Sequence, residues 1–124
     1  MAKHIELGKK GEEIAAGFLK GKGCQILERN WRTGRDEIDI IATDKNTLII
    51  VEVKTRSTDY FGEPEEAVTD RKQEFLIRAA EEYVNQNELD LEIRFDIVSI
   101  IIQPGKQTIR HIEEAFYPTI NEKF

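Results

Sequence analysis

Charged side chains interrupt an otherwise apolar segment near the middle of the chain. Glu52 and Lys54 directly follow the apolar run Leu48–Val51. On a strand, residues two apart point to the same face, so these two side chains are neighbours. A run of this kind is typical of a strand buried on both faces, where unpaired charge is unfavourable. The end of this strand is therefore the first place to look for chemistry.

A second acidic segment, Glu37–Ile41, precedes this strand and is predicted to pair with it. If the intervening turn has the two residues 45 and 46, antiparallel register places Asp39 opposite Glu52. A three-residue turn would shift the pairing by one. In the first register the two carboxylates have Cβ atoms about 5 Å apart, which is unfavourable unless positive charge intervenes. A divalent cation or the ammonium of Lys54 would meet that need.

Acids and a lysine in this arrangement suit phosphodiester hydrolysis. Mg²⁺ prefers oxygen ligands from one or two carboxylates, completed by water and phosphate. Lys54 could orient or acidify a water and stabilise charge on the phosphate. The carbonyl of Val53, between Glu52 and Lys54, could add a metal oxygen. The predicted cofactor is therefore Mg²⁺ or Mn²⁺. The alternative interpretation of these residues is a solvated strand edge with a Glu52–Lys54 ion pair.

Seven elements are predicted to position these residues, in the order α-β-β-β-α-β-β. An apolar stripe predicts a helix from Gly8 to about Lys22, and the capping box Asp70–Gln73 predicts the start of a second. The predicted strands span 26–31, 37–42, 47–54, 94–102 and 107–112, and residues 57–69 are predicted to form a loop with room for a short helix. The order indicates an α/β or α+β domain with a mixed sheet flanked by helices.

Composition narrows the class of protein. The chain has 124 residues, 40% hydrophobic and 34% charged, which predicts one water-soluble domain spanning residues 1–124. A net charge of -6 argues against bulk attraction of nucleic acid. However, residues 1–35 carry 8 basic and 4 acidic side chains, whereas residues 36–124 carry 10 and 20. A local basic face is therefore compatible with an acidic chain.

The single cysteine, Cys24, excludes an intrachain disulfide and a cysteine-rich zinc site, and it fits a reducing compartment. The longest apolar run is far too short to cross a bilayer, and the first residues lack the apolar stretch of a secretory signal. A cytoplasmic location without membrane contact is expected. Two further predictions are local: His4 and His111 have surface or local structural roles, and Arg94 pairs with Asp96.

The sequence also resembles the YraN-type family, uncharacterised proteins similar to Holliday junction resolvases, with the restriction-endonuclease-like fold of PD-(D/E)xK nucleases. The resemblance covers most of the chain. It rests on Gly8–Ala15, Asn30–Arg32, Glu37–Ile41, Val51–Arg56, Phe61–Gly62, Lys72 and Arg94–Asp96. The resemblance implies a restriction-endonuclease-like mixed sheet flanked by helices.

The resemblance also implies roles for single residues. Asp39 and Glu52 would be the metal-binding acids, Lys54 the catalytic lysine, and Glu12 an acid on the first helix facing the same site. On spacing alone, Glu12 is equally compatible with a solvated position favoured by the helix dipole. The family usually has glycine just before the Glu-Ile-Asp motif. This chain has Asp36 there, which adds negative charge and removes a flexible turn residue.

Four cations are candidate nucleic-acid contacts: Arg32, Arg35, Arg56 and Lys72. The first two lie beside Trp31, as in a groove that binds nucleic acid, although a single tryptophan is more often part of a core. Lys72 lies in the first turn of the second predicted helix, where the dipole mildly disfavours a cation and an anionic partner such as phosphate would offset this. A plain surface position is the alternative.

Together, these observations predict a Mg²⁺- or Mn²⁺-dependent endonuclease that binds and cuts branched or otherwise structured DNA. The alternative is a DNA-binding or assembly module that keeps the nuclease fold with little or no catalysis, in which the acidic residues 59–70 contact a protein partner. Resolvases of this general fold act as dimers, so a homodimer is compatible with the prediction, although no stripe in the sequence identifies an interface.

Overall fold

A computed structural model describes residues 2–57 and 68–118, with side chains from residue 6 onward. It contains two helices and five strands. They are α1 (Ala2–Gly21), β1 (Gln25–Thr33), β2 (Asp36–Asp44), β3 (Thr47–Arg56), α2 (Asp70–Gln86), β4 (Glu92–Gln103) and β5 (Lys106–Phe116). The predicted order α-β-β-β-α-β-β is confirmed. Most of the predicted loop at 57–69, and with it most of the acidic segment, lies outside the described residues.

The five strands form one mixed sheet in the order β1-β2-β3-β4-β5. All neighbours are antiparallel except β3 and β4, which are parallel. Parallel neighbours need a long crossover connection, and α2 lies in the segment that makes it. The predicted meander, the final hairpin and the mixed sheet flanked by helices are therefore confirmed.

The helices cover opposite faces of the sheet. α1 packs on one face through Ala15, Ala16 and Leu19, and α2 packs on the other through residues that include Leu76 and Tyr83. The central strand β3 contributes to both layers, because Leu48 to Val51 are each at most 1% exposed. The prediction of a strand buried on both faces is confirmed. Within the described part of the chain, neither helix has the length and apolarity that a membrane-spanning segment requires.

α1 begins at Ala2, six residues before the predicted start at Gly8. Glycine in a helix interior costs only about 1 kcal/mol, so Gly8 does not have to mark an end. Gly11 lies against β3, where a Cβ atom would overlap the side chain of Thr55. This close approach brings the first half of α1 to the end of β3. At the other end, Gly23 has a φ of 96° and ends the helix as predicted.

α2 has a different cap from the predicted capping box. The N-cap is Thr69, whose hydroxyl accepts a hydrogen bond from the backbone N–H of Lys72 at 3.2 Å. Asp70 is the first helical residue instead, where its charge still favours the helix N-terminus. Gln73 donates to the carbonyl of Val68 rather than bonding back to an aspartate cap. The predicted N-cap position was therefore wrong by one residue.

Candidate functional site

The candidate site lies where β2 and β3 separate. The turn between them has two residues, and the ladder runs in the first predicted register from Asp44–Thr47 to Ile40–Val51. Beyond Val51, β3 continues beside β4 alone, as far as Arg56. A gap therefore opens at this end of the sheet. Asp39 of β2 and Glu52 of β3 lie immediately beyond the last pair of this ladder, Ile40–Val51.

Asp39 interrupts the alternation of β2. Ile38 packs in the core layer on the α2 side, whereas Ile40 packs in the layer on the α1 side. Residues two apart on a regular strand share a face, so the chain must be irregular at Asp39. The carboxylate of Asp39 faces β3, where its Oδ2 accepts a hydrogen bond from the N–H of Val53 at 2.8 Å.

Glu52 is a buried acid with an unusual set of partners. Its side chain is 4% exposed, and its Oε2 lies 3.3 Å from the Nζ of Lys54 and 3.5 Å from the Nζ of Lys72. Its Oε1 is buried and has no hydrogen-bond partner among the described residues. An unsatisfied buried oxygen of this kind is rare in native proteins. It marks the place where a ligand would complete the structure.

Burial and the neighbouring carboxylate of Glu52 raise the pKa of Asp39 to about 8. The hydrogen bond from Val53 acts in the opposite direction, and Glu12 adds a smaller increase. At neutral pH, Asp39 therefore keeps a proton in the absence of further positive charge. A bound cation would displace that proton.

Glu12 approaches this site through Asn30, a residue that the sequence reasoning assigned no role. In the orientation that satisfies its neighbours, the Asn30 amide nitrogen lies 3.1 and 3.3 Å from the two carboxylate oxygens of Glu12. It also lies 3.1 Å from Oε1 of Glu37. Asn30 has a φ of 53°, a left-handed conformation that asparagine tolerates better than most residues. The sequence signal that could have indicated this role is an asparagine inside a predicted strand.

The donor chemistry fits a divalent cation. Glu52 offers an unpaired oxygen, and Asp39 lies so close to Glu52 that the Glu52 charge raises the pKa of Asp39. The N–H and C=O of one strand residue point to the same side, so the carbonyl of Val53 also faces the gap. No cluster of three or more acidic, histidine or cysteine side chains has the arrangement of a metal site in residues 2–57 and 68–118. The fit is therefore to Mg²⁺ or Mn²⁺, which keeps several waters, rather than to an all-protein cage.

The four candidate DNA contacts lie in different surroundings. Arg32 has a 75% exposed side chain, with one guanidinium nitrogen 3.4 Å from Oε2 of Glu37. Arg35 is exposed in the β1–β2 turn, whereas Arg56 is half-buried at the end of β3. Lys72 lies beside the two neighbouring acids Asp39 and Glu52, which we call the acid pair. The structure thus places Lys72 in the candidate site and the arginines around it.

Two other features bear on the predictions. Trp31 packs edge-on against Tyr83 at 5.1 Å between ring centroids, so it belongs to the core as the alternative interpretation held. The β1–β2 turn has its left-handed residue at Gly34, with a φ of 59°. Asp36 is therefore not required to adopt a glycine conformation. Its carboxylate instead binds Arg78 of α2.

A second buried carboxylate, Asp96, lies on β4 in a contrasting environment. Arg94 donates to both its oxygens at 2.9 Å, which confirms the predicted pair. His111 lies 2.7 Å from Oδ2, and the N–H of Glu114 donates to Oδ1 at 3.1 Å. Burial favours a higher pKa, but the hydrogen bonds from His111 and Arg94 hold the pKa of Asp96 below its ordinary value. This cluster is fully paired and structural.

The fold and the site together define a class: an α/β domain with a mixed five-stranded sheet and a buried acid pair, beside a lysine, where two central strands separate. The chain belongs to the uncharacterised protein family UPF0102, whose model matches residues 11–100. This confirms the family that the sequence resembles. The matched range includes Glu12, Asp39, Glu52, Lys54 and Lys72.

Relatives match over nearly the whole chain. The chain is 49% identical over 120 residues to a UPF0102 protein of Phocaeicola vulgatus, covering 97% of this chain and 99% of the relative. It is 50% identical over 117 residues to one of Flavobacterium psychrophilum, covering 94% and 98%. It is 48% identical over 120 residues to one of Bacteroides thetaiotaomicron, covering 97% and 99%. These names state a family and no activity.

Proposed function

We propose that the protein is a Mg²⁺- or Mn²⁺-dependent endonuclease that hydrolyses phosphodiester bonds in branched or otherwise structured DNA. The observation that carries this proposal is the buried Oε1 of Glu52, which has no partner among the described residues and lies beside the carboxyl group of Asp39. Without a ligand, the two carboxyl groups must share a proton or leave this oxygen unsatisfied, at a cost of about 1–3 kcal/mol or more for a charged group. A bound cation would remove that cost.

The residues of the chain divide the work between binding and charge stabilisation. Asp39 and Glu52 would hold the cation, with the carbonyl of Val53 as a third oxygen. When bound, Mg²⁺ supplies positive charge that polarises the phosphoryl group. Lys54, held beside Glu52, brings an ammonium group to the charge that develops on the phosphate in the transition state. Glu12, oriented by Asn30, is a further acid available to position water.

Cleavage of a four-way DNA junction tests the proposal most simply. Glu52→Gln and Asp39→Asn should each lower the rate by about a hundredfold or more, because each removes a charge that the transition state requires. Asp90→Asn, an exposed aspartate between α2 and β4, is the matched control and should cleave normally. A linear duplex of the same sequence checks the preference for branched DNA. Equal cleavage by the wild type and Glu52→Gln would contradict the proposal.

One observation favours the alternative, a DNA-binding or assembly module without catalysis. Lys54 and Lys72 both approach Oε2 of Glu52, so the chain already supplies positive charge at the acid pair. In that case the junction is bound in a salt-sensitive manner and not cut at any concentration of Mg²⁺ or Mn²⁺. A Lys54→Met variant would then only weaken DNA binding, whereas in the nuclease it also abolishes cleavage.

A further inference from the structure

A cleft of about 360 Å³ opens between the β1–β2 turn and α2. It is lined by Thr33, Gly34, Arg35, Asp36, Arg78 and Glu82. Asp36 lies three residues before Asp39 on β2, which corresponds to about 10 Å along a strand. The cleft therefore adjoins the acid pair without being part of it.

Cations of α2 connect the acid pair to this cleft. Lys72 lies beside Glu52, and Arg78 lies six residues further along the helix, or about 9 Å. Between them, the ring of Phe75 lies under two guanidinium groups, with Arg71 at 5.5 Å and Arg78 at 4.9 Å from its centroid. We call Arg71, Lys72 and Arg78 the α2 cation row.

Arg78 holds a carboxylate in the geometry that guanidinium groups also use for phosphate. Its Nη2 donates to Oδ2 of Asp36 at 2.8 Å and to Oδ1 at 3.1 Å, and its Nε donates to Oδ2 at 3.1 Å. The Asp36 side chain is 10% exposed, whereas that of Arg78 is 61% exposed. Paired donors of this kind suit planar or tetrahedral anions equally. A phosphate that bound Arg78 in this way would have to displace the Asp36 carboxylate.

We propose that this cleft binds a backbone phosphate of the DNA that flanks the cut site, and that Asp36 competes with it for Arg78. The identity of the ligand rests on the proposed function. Arg35 and Arg78 supply the positive charge that lines the cleft, against the carboxylates of Glu82 and Asp36, and Asp36 restrains binding by pairing with Arg78. If Asp36 only fastened the turn to α2, its removal would loosen the fold and would not improve DNA binding.

Binding of the protein to a four-way DNA junction can be measured with a metal chelator present, across a series of salt concentrations. This measurement separates competition with phosphate from fastening of the turn, and it does not rely on cleavage. Asp36→Asn should bind roughly tenfold more tightly, since it releases Arg78 and removes one negative charge next to the phosphate. Arg78→Gln should bind more weakly, with a salt slope shallower by about 0.9 for the lost phosphate contact. The double variant should behave like Arg78→Gln alone. Asp90→Asn and Lys20→Gln, both exposed and outside the cleft, are the matched charge controls.

The outcomes distinguish this proposal from the nuclease. Unchanged or weaker binding by Asp36→Asn, in a variant whose thermal midpoint shows that it folds, overturns the role of the cleft and leaves cleavage untouched. Tighter binding by Asp36→Asn in a protein that never cleaves supports the cleft and overturns the nuclease. Binding of polyglutamate but not DNA assigns the cleft to an acidic protein and overturns the DNA assignment. No DNA binding by any variant at low salt overturns both proposals.

Discussion

Two buried carboxyl groups of the sheet, Glu52 on β3 and Asp96 on β4, differ in how many hydrogen-bond partners they have. Asp96 has a side chain with 0% exposure and accepts hydrogen bonds from Arg94, His111 and a backbone N–H. Glu52 has a side chain with 4% exposure, two lysines near one oxygen and no partner for the other among the described residues. Two acids with nearly the same burial therefore differ in how completely their oxygens are paired.

The difference lies in how completely the protein satisfies the charge. At Asp96, hydrogen bonds outweigh burial and lower the pKa. At Asp39, burial and Glu52 outweigh a single backbone hydrogen bond and raise the pKa. A fully paired acid stabilises the fold as it stands, whereas the Asp39–Glu52 pair, which has two lysines near one oxygen only, would be stabilised by a further positive charge. This is the property expected of a cation site.

The largest expected effect comes from breaking the paired cluster. Asp96→Ala should lower the free energy of unfolding by about 3–5 kcal/mol, because it removes the acceptor shared by Arg94, the buried ring of His111 and the N–H of Glu114. Urea denaturation of this variant beside the exposed control Asp90→Ala measures the difference. A loss below about 1 kcal/mol would remove the contrast between the two regions.

The pH dependence of stability should differ in sign between the two regions. Asp39 has a folded pKa above its ordinary value of 3.8, at about 8, so the native state keeps a proton that the unfolded chain releases between these values. Without a divalent cation, its contribution therefore falls as pH rises through that window, by about 1–3 kcal/mol. Asp96 has a lowered pKa, so its contribution is lost as pH falls. Asp39→Asn should flatten only the decline between pH 3.8 and about 8, as measured by denaturation across this range.

The smallest expected effect is on the cation-free stability of Glu52→Gln. The substitution removes a buried charge that lacks a full set of partners, so unfolding should change by about 1 kcal/mol or less, in either direction. If Mn²⁺ binds at this site, it should raise the thermal midpoint of the wild type but not that of this variant. Destabilisation as large as that of Asp96→Ala would show that Glu52 is a structural acid after all.

Much of the site follows from local sequence patterns. The buried run from Leu48 to Val51 predicts a central strand, and a two-residue turn fixes the register that brings Asp39 to Glu52. The Arg94–Asp96 pair follows from spacing of two on a strand. These features depend on neighbours in the chain or on one turn, so the sequence contains the information directly.

Other features depend on the packing of distant elements. The approach of Lys72 to Glu52 and of Arg78 to Asp36 requires the position of α2 across the sheet, which no periodicity specifies. The bridge from Asn30 to Glu12 requires both a left-handed residue in β1 and the close packing of α1 on β3. Sequence patterns therefore predicted that the acids meet but not which distant side chains lie beside them.

Calorimetric titration of the protein with Mn²⁺ at pH 7, in two buffers of different ionisation enthalpy, tests the central claim most directly. The wild type should bind the cation and release a proton, because Asp39 is protonated before binding. Glu52→Gln should lose most of this affinity, whereas Asp90→Asn should bind as the wild type does. Equal binding by the wild type and Glu52→Gln, or no binding by the wild type, would contradict the assignment of Asp39 and Glu52 as a cation site.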